Sequence, residues 1–339
     1  MMQALVWEAA EQMAMHEQEM PVPAADEVLI KVAYAGICGS ELSGYLGHNA
    51  LRVPPLVMGH EFSGEITEVG SAVSNGLAVG QAVTANPLDY TEPCEFCDQG
   101  LNQLSPTRKL IGAHRPGAYA EYVTVPAKLV TALPEGMPLR IGALTEPVGC
   151  AVRVGEIAGN VQGQDCLIIG AGPIGLLSLQ IFQLNGANRI FIADLDPERL
   201  AMGAELGGIA LQPREVDVVA TVKEATEDKG VAVSLDAVGT ALTRTQCVSA
   251  TQTRGLVILS GLHEEVSEMP AADIIRREIA IRGSFSYSPA NFAAAIPLLH
   301  EGKIRLDPWI VEEPLSKGGY WFDRLIKAPG NVSKVLLVP

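Results

Sequence analysis

The sequence predicts a mixed α/β protein with two domains, one β-rich and irregular, the other built on a parallel sheet. The chain has 339 residues, enough for two separate hydrophobic cores. As far as about Glu146, short strand-like segments are separated by glycines and prolines. Beyond it, short apolar segments alternate with helical ones, which is typical of a parallel sheet covered on both faces.

Four strand candidates define the N-terminal region. Residues 27–34 form an apolar segment that ends before a turn at Cys38. Residues 62–70 alternate between polar and apolar side chains, as a half-buried strand does, and residues 80–84 and 120–125 continue the pattern. We therefore expect an irregular β-rich domain in this part of the chain.

In the second half, strands and helices are expected in alternation. The four strand candidates are residues 167–169, 189–193, 231–235 and 255–259. The clearest helix candidate, residues 174–184, follows the first of them. After about Gly283 the alternation ends, and we expect a helix over residues 291–301 and a terminal strand over residues 334–338.

Composition argues against several kinds of partner. The net charge of -15 would repel the phosphates of nucleic acids and of anionic membranes, so neither is expected as a partner. Residues 166–187 are uncharged and long enough to suggest a membrane span, but their glycine-rich centre favours a strand, a turn and a buried helix.

The N-terminus and the cysteines indicate a cytoplasmic protein. The first residues show no basic segment followed by a long apolar run, so we expect no signal peptide. Six cysteines with a single close pair do not form a disulfide framework, which suits a reducing compartment.

A glycine-rich turn in the second half predicts a dinucleotide site. Gly170, Gly172 and Gly175 follow an apolar strand and, with Pro173 and Ile174, open a helix. The first glycine permits the tight turn, the second lets the backbone approach a pyrophosphate, and the third allows close packing of the helix. Amides at the helix N-terminus would then face the phosphates.

An acidic residue at the end of the next strand favours NAD over NADP. Asp194 lies 19 residues after Gly175, where its carboxylate could accept hydrogen bonds from the adenosine ribose and would repel a 2′-phosphate. The alternative interpretation is a glycine-rich turn with a solvated aspartate. Arg199 either stacks near the adenine or lies on a solvated helix face.

A cysteine, a histidine and a carboxylate in the N-terminal region predict a metal site. His60 lies 22 residues after Cys38 and is followed by Glu61. Thiolate, imidazole and carboxylate suit zinc, and three protein ligands leave one position open for a substrate. Taken singly, Cys38 could be a small buried hydrophobic residue and His60 a histidine of the core.

Together these features resemble the zinc-dependent medium-chain alcohol and polyol dehydrogenases, in particular the sorbitol, threonine and galactitol-phosphate dehydrogenase branch. The resemblance spans essentially the whole chain, and its motifs lie at residues 36–40, 59–61, 80–83, 117–122, 146–147 and 170–175. It implies a discontinuous GroES-like catalytic domain, residues 1–150 and 285–339. A Rossmann NAD-binding domain, residues 151–284, would lie between these segments.

The resemblance also implies roles for the site residues. Cys38 and His60 would be ligands of a catalytic zinc. Glu61 and Glu146 would be exchangeable carboxylates, one bound to the zinc directly and the other through water or after a shift. The zinc would act as a Lewis acid on the substrate alcohol, which would give hydride to NAD.

The proton relay departs from the pattern of the family. Ser40 would start the relay, through Glu41 or the nicotinamide ribose, although it could equally cap the next helix. Many relatives have a histidine five residues after the zinc cysteine, where this chain has Ser43. The relay could therefore use water or His48.

The sequence does not name the substrate. The resemblance places a Phe-Arg-Tyr segment of sorbitol dehydrogenases near the positions where this chain has Phe285, Ser286 and Tyr287. The missing arginine places sorbitol itself in doubt. Arg52 or Arg115 could bind an anionic substrate, although a solvated surface position is the simpler interpretation. We expect a small polyol, sugar acid, sugar phosphate or hydroxy amino acid, and, from the family, a homodimer or homotetramer.

A second, structural zinc of the family is expected to be absent. Its four cysteines have gaps of two, two and seven residues, so Cys94 and Cys97 would form the middle pair. The outer positions are then Thr91 and Ser105, and neither residue is a good zinc ligand. We expect one zinc per chain, with Cys94 and Cys97 as free thiols, and a disulfide between them is the alternative.

Two other functions are compatible with parts of the pattern. A zinc-free quinone reductase of the same superfamily would normally lack Cys38 and His60, and a non-catalytic nucleotide-binding or sensory protein would have lost these ligands. Because both residues are present, we expect an NAD-dependent, zinc-containing dehydrogenase.

Overall fold

The computed structural model of the chain describes residues 1–90 and 92–339. The chain divides into two compact units, one comprising residues 1–149 and 288–339 and the other residues 150–287. The first unit is therefore built from both ends of the chain. None of the helices in the described ranges combines the length and the apolar character that a membrane crossing requires.

Short strands dominate the first unit, and the second unit adds a further set before the chain returns to the first. In order they are β1 (Met2–Ala9), β2 (Gln12–Gln18), β3 (Glu27–Gly36), β4 (Leu56–Val57), β5 (Glu61–Val69), β6 (Ala82–Ala85), β7 (Leu88–Tyr90), β8 (Arg108–Leu110), β9 (Tyr122–Pro126), β10 (Val130–Ala132), β11 (Cys166–Ile169), β12 (Ile190–Ala193), β13 (Ile209–Leu211), β14 (Val231–Asp236), β15 (Thr251–Leu259), β16 (Ala280–Gly283), β17 (Ile310–Pro314) and β18 (Lys334–Val338).

The helices are short in the first unit and longer in the second. They are α1 (Gly39–Tyr45), α2 (Glu95–Asp98), α3 (Leu139–Gly142), α4 (Thr145–Ala158), α5 (Pro173–Leu184), α6 (Pro197–Glu205), α7 (Val218–Ala225), α8 (Ala241–Ala250), α9 (Ala271–Arg276), α10 (Pro289–His300) and α11 (Gly318–Lys327).

Strand β3 is the centre of the largest sheet in the first unit. The sheet order is β10-β6-β5-β3-β18-β17, and β9 also pairs with β3. Strands β5, β9 and β18 all run antiparallel to β3. At the end of β3, Gly36 lies opposite both Glu61 and Leu336. This register brings residues that are far apart in the sequence to one end of the strand.

The second unit is an open parallel sheet of order β13-β12-β11-β14-β15-β16. Every residue of β11 and of β12 is buried, which accounts for the continuous apolar runs in the sequence. Helix α5 follows β11 and buries most of its residues. The predicted mixed α/β architecture is confirmed.

Several helices and strands of both units could not be predicted from the hydrophobic pattern of the sequence. Strand β2 and helix α11 were not expected, because their residues are largely half-buried or exposed. The edge strands β13 and β16 of the second unit were missed for the same reason. Strand β15 begins at Thr251, earlier than the expected residue 255.

Candidate metal centre and nucleotide-binding turn

The first unit brings three metal-ligating side chains together at the end of strand β3. Cys38 follows β3, and His60 and Glu61 lie at the start of β5, which pairs with β3. One ligand atom from each of the three lies within 4.8 Å of the others. His60 and Glu61 are buried, and Cys38 is half-buried. The pairing of β3 with β5 thus converts a 22-residue separation into a compact cluster.

Glu41, in the first turn of α1, orients His60. Its Oε1 accepts hydrogen bonds from His60 Nδ1 at 2.8 Å and from the Gly59 amide at 2.8 Å. Its Oε2 accepts from the Cys38 amide at 3.1 Å and from the Tyr119 hydroxyl. Because Nδ1 is bound to the carboxylate, the histidine presents Nε2 as its free ligand atom.

The electrostatics of this pair favour a charged carboxylate. Burial would raise the pKa of the Glu41 carboxyl, but the nearby charge of His60 and the hydrogen bonds from His60 and Tyr119 lower it to about 2. Burial opposes a charge on His60 as well, yet the carboxylate of Glu41 and the thiolate of Cys38 raise the pKa of its imidazole. Glu41 is therefore a fixed anion beside the imidazole and not a proton carrier near neutral pH.

Lys334, the first residue of β18, pairs with Glu61. Its ammonium lies 2.7 and 2.9 Å from the two carboxylate oxygens and 3.1 Å from the Ile37 carbonyl. Both side chains are about 2% exposed or less. Burial opposes the charge, but the carboxylates of Glu61 and Glu146 and the thiolate of Cys38 raise the pKa of Lys334.

Sequence reasoning missed Lys334. The only sequence signal is one lysine at the start of an otherwise apolar strand. Glu146 lies in the first turn of α4 and is buried, and its charge acts on Lys334. The four predicted metal ligands and Lys334 thus belong to the first unit.

Ser40 and Arg52 form a second pair beside Cys38. The Ser40 hydroxyl lies 3.5 Å from Cys38 Sγ, and it accepts from an Arg52 guanidinium nitrogen at 3.3 Å. The other terminal nitrogen of Arg52 donates to the Ser40 carbonyl at 3.2 Å. Helix α1 begins at Gly39 and its N-cap is Cys38, so the alternative that Ser40 caps this helix is wrong.

The two candidate arginines have different environments. Arg52 is only 3% exposed, so its interpretation as a solvated surface charge is wrong. Arg115 is half-buried and is already paired with the Glu27 carboxylate at 2.7 Å. Ser43 is half-buried and His48 is exposed.

The donor set of the cluster fits zinc. Sulfur, imidazole nitrogen and carboxylate oxygen are the atoms that zinc prefers in proteins. The Glu41–His60 hydrogen bond supplies the second layer of support that metal-binding histidines usually have. Lys334 offsets the charge of Glu61.

The glycine-rich turn of the second unit fits a dinucleotide phosphate. Gly170 has a φ of 106°, a conformation that favours glycine. A Cβ on Gly175 would lie 1.8 Å from the Gly170 carbonyl oxygen, so only glycine allows this contact. A Cβ on Gly172 would meet no atom within 4 Å, which leaves open space at the N-cap of α5, ahead of Pro173 and Ile174.

Asp194 is held against this turn. One carboxylate oxygen accepts from the Ala171 amide at 2.7 Å, and the other accepts from the Asp196 amide at 2.9 Å. The carboxylate is therefore fixed at the end of β12 and is only half-buried. Arg199 lies in α6 and is half-buried, with its Nε unbonded.

The expected structural-zinc positions lie on a surface loop. Cys94 and Cys97 flank the first turn of α2 and are free and half-buried. Ser105 is buried and binds Thr107 through its hydroxyl at 3.2 Å. Thr91 lies outside the described residues.

Similarity to known proteins is consistent with these sites. Residues 24–135 match the model of the alcohol dehydrogenase GroES-like domain, and residues 173–301 match the zinc-binding dehydrogenase model. D-arabitol-phosphate dehydrogenase of Enterococcus avium is 34% identical over 333 residues, which cover 96% of this chain and 94% of that protein.

Two solved structures have the same fold over the whole chain. 2R,3R-butanediol dehydrogenase of Bacillus subtilis has a TM-score of 0.92 at 30% identity, covering 100% of both chains. A protein of Sinorhizobium meliloti 1021 bound to NADP has a TM-score of 0.91 at 30% identity, covering 100% of this chain and 99% of that one.

Proposed function

The chain belongs to the zinc-dependent medium-chain dehydrogenase family and is an oxidoreductase acting on secondary alcohols, and from that premise we propose how its own residues do this. Cys38 and His60 would hold a catalytic zinc, with Glu61 and Glu146 as exchangeable carboxylates, and NAD bound at the glycine-rich turn would supply the hydride acceptor. The observation that carries the proposal is the Glu41–His60 hydrogen bond at 2.8 Å, beside a thiol and a second carboxylate.

Hydrogen bonds and one ion pair hold the candidate ligands in place: Glu41 binds the Nδ1 of His60, and Lys334 binds both carboxylate oxygens of Glu61. Zinc, when bound, supplies Lewis acidity that makes an alcohol easier to deprotonate, and NAD supplies the hydride acceptor. Glu41 fixes the ring of His60, and Lys334 neutralises Glu61 whenever that carboxylate is not a ligand. Glu146 is also buried, 8% exposed, and its charge acts on Lys334.

Ser40 would relay the proton of the substrate alcohol, because its oxygen can accept that proton only as its own hydroxyl proton passes on. Its hydroxyl is exposed and lies beside Cys38 Sγ, so a substrate oxygen at the open metal position would be within its reach. Arg52 donates to the Ser40 oxygen and is permanently charged, so it cannot itself accept the proton. With Ser43 in place of a histidine, the proton leaves through water, the nicotinamide ribose or the exposed His48.

The cofactor is NAD, bound at Gly170, Gly172, Pro173, Ile174 and Gly175. Support comes from Asp194, whose carboxylate is anchored by two backbone amides and is half-buried. A 2′-phosphate near this fixed anion would be repelled. Arg199 lies one turn into α6 and would flank the adenine side of the site.

The substrate is a small polyol, a polyol or sugar phosphate, a sugar acid or a hydroxy amino acid. The similarity to a D-arabitol-phosphate dehydrogenase and to a butanediol dehydrogenase supports a vicinal diol or polyol. The chain works in the cytoplasm with one zinc per chain, as a homodimer or homotetramer. Exposed apolar side chains at Leu262, Val266 and Ile275 in the second unit support association through that unit.

The formation of NADH, followed by its absorbance, tests this function. Zinc-loaded protein mixed with NAD and a panel of polyols, polyol phosphates, sugar acids and threonine should produce NADH with at least one member. A chelator should abolish the rate, and added zinc should restore it. Cys38→Ser should lose turnover but retain NAD binding by calorimetry, because the nucleotide turn lies in the other unit. Full turnover in chelated enzyme would exclude the zinc mechanism.

A further inference from the structure

Two thiols face each other in a surface loop of the first unit, and neither belongs to the cluster of Cys38, His60 and Glu61. The Sγ atoms of Cys94 and Cys97 are 2.9 Å apart. This is inside the roughly 3.5–4.0 Å at which non-bonded carbon atoms pack. Both side chains are half-buried, and their neighbours Glu95 and Asp98 are exposed, so small solutes can reach the sulfur atoms.

The backbone of the loop holds the pair in this arrangement. The Cys94 carbonyl accepts from the Asp98 amide at 3.1 Å, and the Cys97 carbonyl accepts from the Gly100 amide at 3.0 Å. The Leu101 amide closes the turn onto the Phe96 carbonyl at 2.7 Å. Cys94 is the N-cap of α2 and Cys97 lies in its only turn, so the fold of the loop already places the two sulfur atoms side by side.

The two thiols are not equivalent. The hydrogen bond from the Cys97 thiol, together with hydrogen bonds from the Ser105 hydroxyl and the Phe96 amide, lowers the pKa of Cys94. The same contact with Cys94 raises the pKa of Cys97. The Cys97 thiol can also donate to the Glu92 carbonyl at 4.0 Å, which favours the protonated form of Cys97. Because the thiolate is the nucleophile in disulfide exchange, we expect Cys94 to attack first.

We propose that Cys94 and Cys97 form a reversible dithiol–disulfide pair, with a low-molecular-weight disulfide such as oxidised glutathione as oxidant. The Cys94 thiolate attacks one sulfur of the glutathione disulfide and releases one glutathione thiolate. The Cys97 thiolate then attacks the Cys94 sulfur and releases the second. The two thiol protons pass to the two leaving thiolates, so the protein loses two hydrogen atoms and the glutathione disulfide becomes two thiols.

The remaining cysteines are poor competitors for this reaction. Cys166 and Cys247 are fully buried, and burial raises the pKa of Cys166 to about 12 and the pKa of Cys247 well above its usual range. Cys38 is engaged by its cluster in the zinc-loaded enzyme. Cys150 is half-buried and has no other cysteine within three positions in the sequence. Oxidation should therefore be selective for the pair.

The test is a titration of the zinc-loaded enzyme in glutathione buffers of increasing oxidised-to-reduced ratio. Samples are quenched by alkylation, and the mass of the peptide that contains residues 94 and 97 is measured by mass spectrometry. The native protein should lose both alkylatable thiols of this peptide in one step, with a mass decrease of two hydrogen atoms and no bound glutathione. Excess reduced glutathione should restore both thiols. Cys150→Ser is the matched control and should titrate like the native protein.

Single variants test the order of attack. Cys97→Ser should stop at a mixed disulfide between Cys94 and glutathione, because the resolving thiol is missing. Cys94→Ser should form its adduct at Cys97 more slowly. The proposal would be overturned by native protein that keeps both thiols across the titration, or that collects glutathione on each cysteine without an internal disulfide. A second zinc per chain that disappears in the Cys94→Ser, Cys97→Ser double variant would also overturn it. None of these readouts depends on turnover, so the dehydrogenase function is tested separately.

Discussion

Replacing Glu41 by glutamine tests whether this carboxylate orients His60, the proposed zinc ligand. All four partners of Glu41 are donors: the amides of Cys38 and Gly59, the Nδ1 of His60 and the hydroxyl of Tyr119. A carboxylate has acceptor positions for all four, whereas an amide replaces one oxygen with an NH2 group. The NH2 group of the glutamine would therefore face two hydrogen-bond donors, because each oxygen of Glu41 now accepts from two.

Both orientations of the glutamine are unfavourable. With the NH2 group toward His60, the ring is pushed to the tautomer whose proton is on Nε2, which blocks the metal-binding atom. With the NH2 group toward Tyr119, the hydroxyl can turn its single proton to the Gly36 carbonyl, 3.0 Å away, and accept from the NH2 group, but the Cys38 amide loses its acceptor. A lost charge-assisted hydrogen bond is worth about 1.5–3 kcal/mol. We expect zinc affinity to fall about 10- to 100-fold, the range for groups that support a metal ligand.

The assay is competition for zinc between the protein and a chelator of known affinity. Glu65→Gln, an exposed residue of β5, is the matched control and should leave the affinity within about twofold of native, because surface substitutions rarely matter. Thermal unfolding of the metal-free proteins separates lost folding stability from lost zinc affinity. Native zinc affinity in Glu41→Gln would refute the orienting role, as would an equal loss in Glu65→Gln.

Three further predictions concern charge and the proton path. Asp194→Ser should shift the NAD to NADP ratio of kcat/KM toward NADP by roughly 10- to 150-fold, because one charged hydrogen bond is worth about 1.5–3 kcal/mol. The control, Glu198→Gln at an exposed position, should leave this ratio unchanged. Lys334→Met should destabilise the metal-free protein by about 3–5 kcal/mol in denaturant unfolding, because Glu61 stays buried and unpaired. Lys303→Met, from the exposed pair with Glu301, should cost about 1 kcal/mol or less, and equal losses would contradict the argument. Ser40→Ala should lower kcat by about 10²- to 10⁴-fold with zinc retained, and Ser40→Thr should recover most of it, whereas Ser43→Ala should have little effect.

Local sequence patterns were sufficient for the nucleotide turn. Strand β11, the glycines and helix α5 are contiguous, and Asp194 ends the next strand. Each glycine has a steric reason that is visible in the motif, and the structure shows those contacts at Gly170 and Gly175. The candidate metal ligands Cys38 and His60 were also singled out from the sequence, and the structure brings them together because β5 pairs directly with β3.

The supporting residues of the metal cluster could not be found in this way. Glu41 was considered only as a relay residue, since the sequence does not say that its side chain turns back to His60. Lys334 is 273 residues from Glu61, and only the return of β18 to β3 brings them together. Arg52 was expected in solvent because arginines are rarely buried, and here the hydrogen bonds to Ser40 hold it inside.

Charge balance links these supporting residues to the metal. The Cys38 thiolate, Glu41, Glu61 and Glu146 are four potential anions in one region of low exposure. Burying that much negative charge is strongly unfavourable unless cations compensate it. Lys334, paired with Glu61, and Arg52, whose charge acts on Glu41, supply two positive charges.

With His60 neutral, as a metal ligand must be, the charges that remain amount to two negative units. A divalent ion at the cluster would cancel them. The buried lysine and arginine therefore belong to the metal site as much as its ligands do: they reduce the negative charge of the pocket to the value that one zinc ion can balance. A site with the ligands alone would hold excess negative charge, and that excess would oppose the loss of a proton from a bound alcohol.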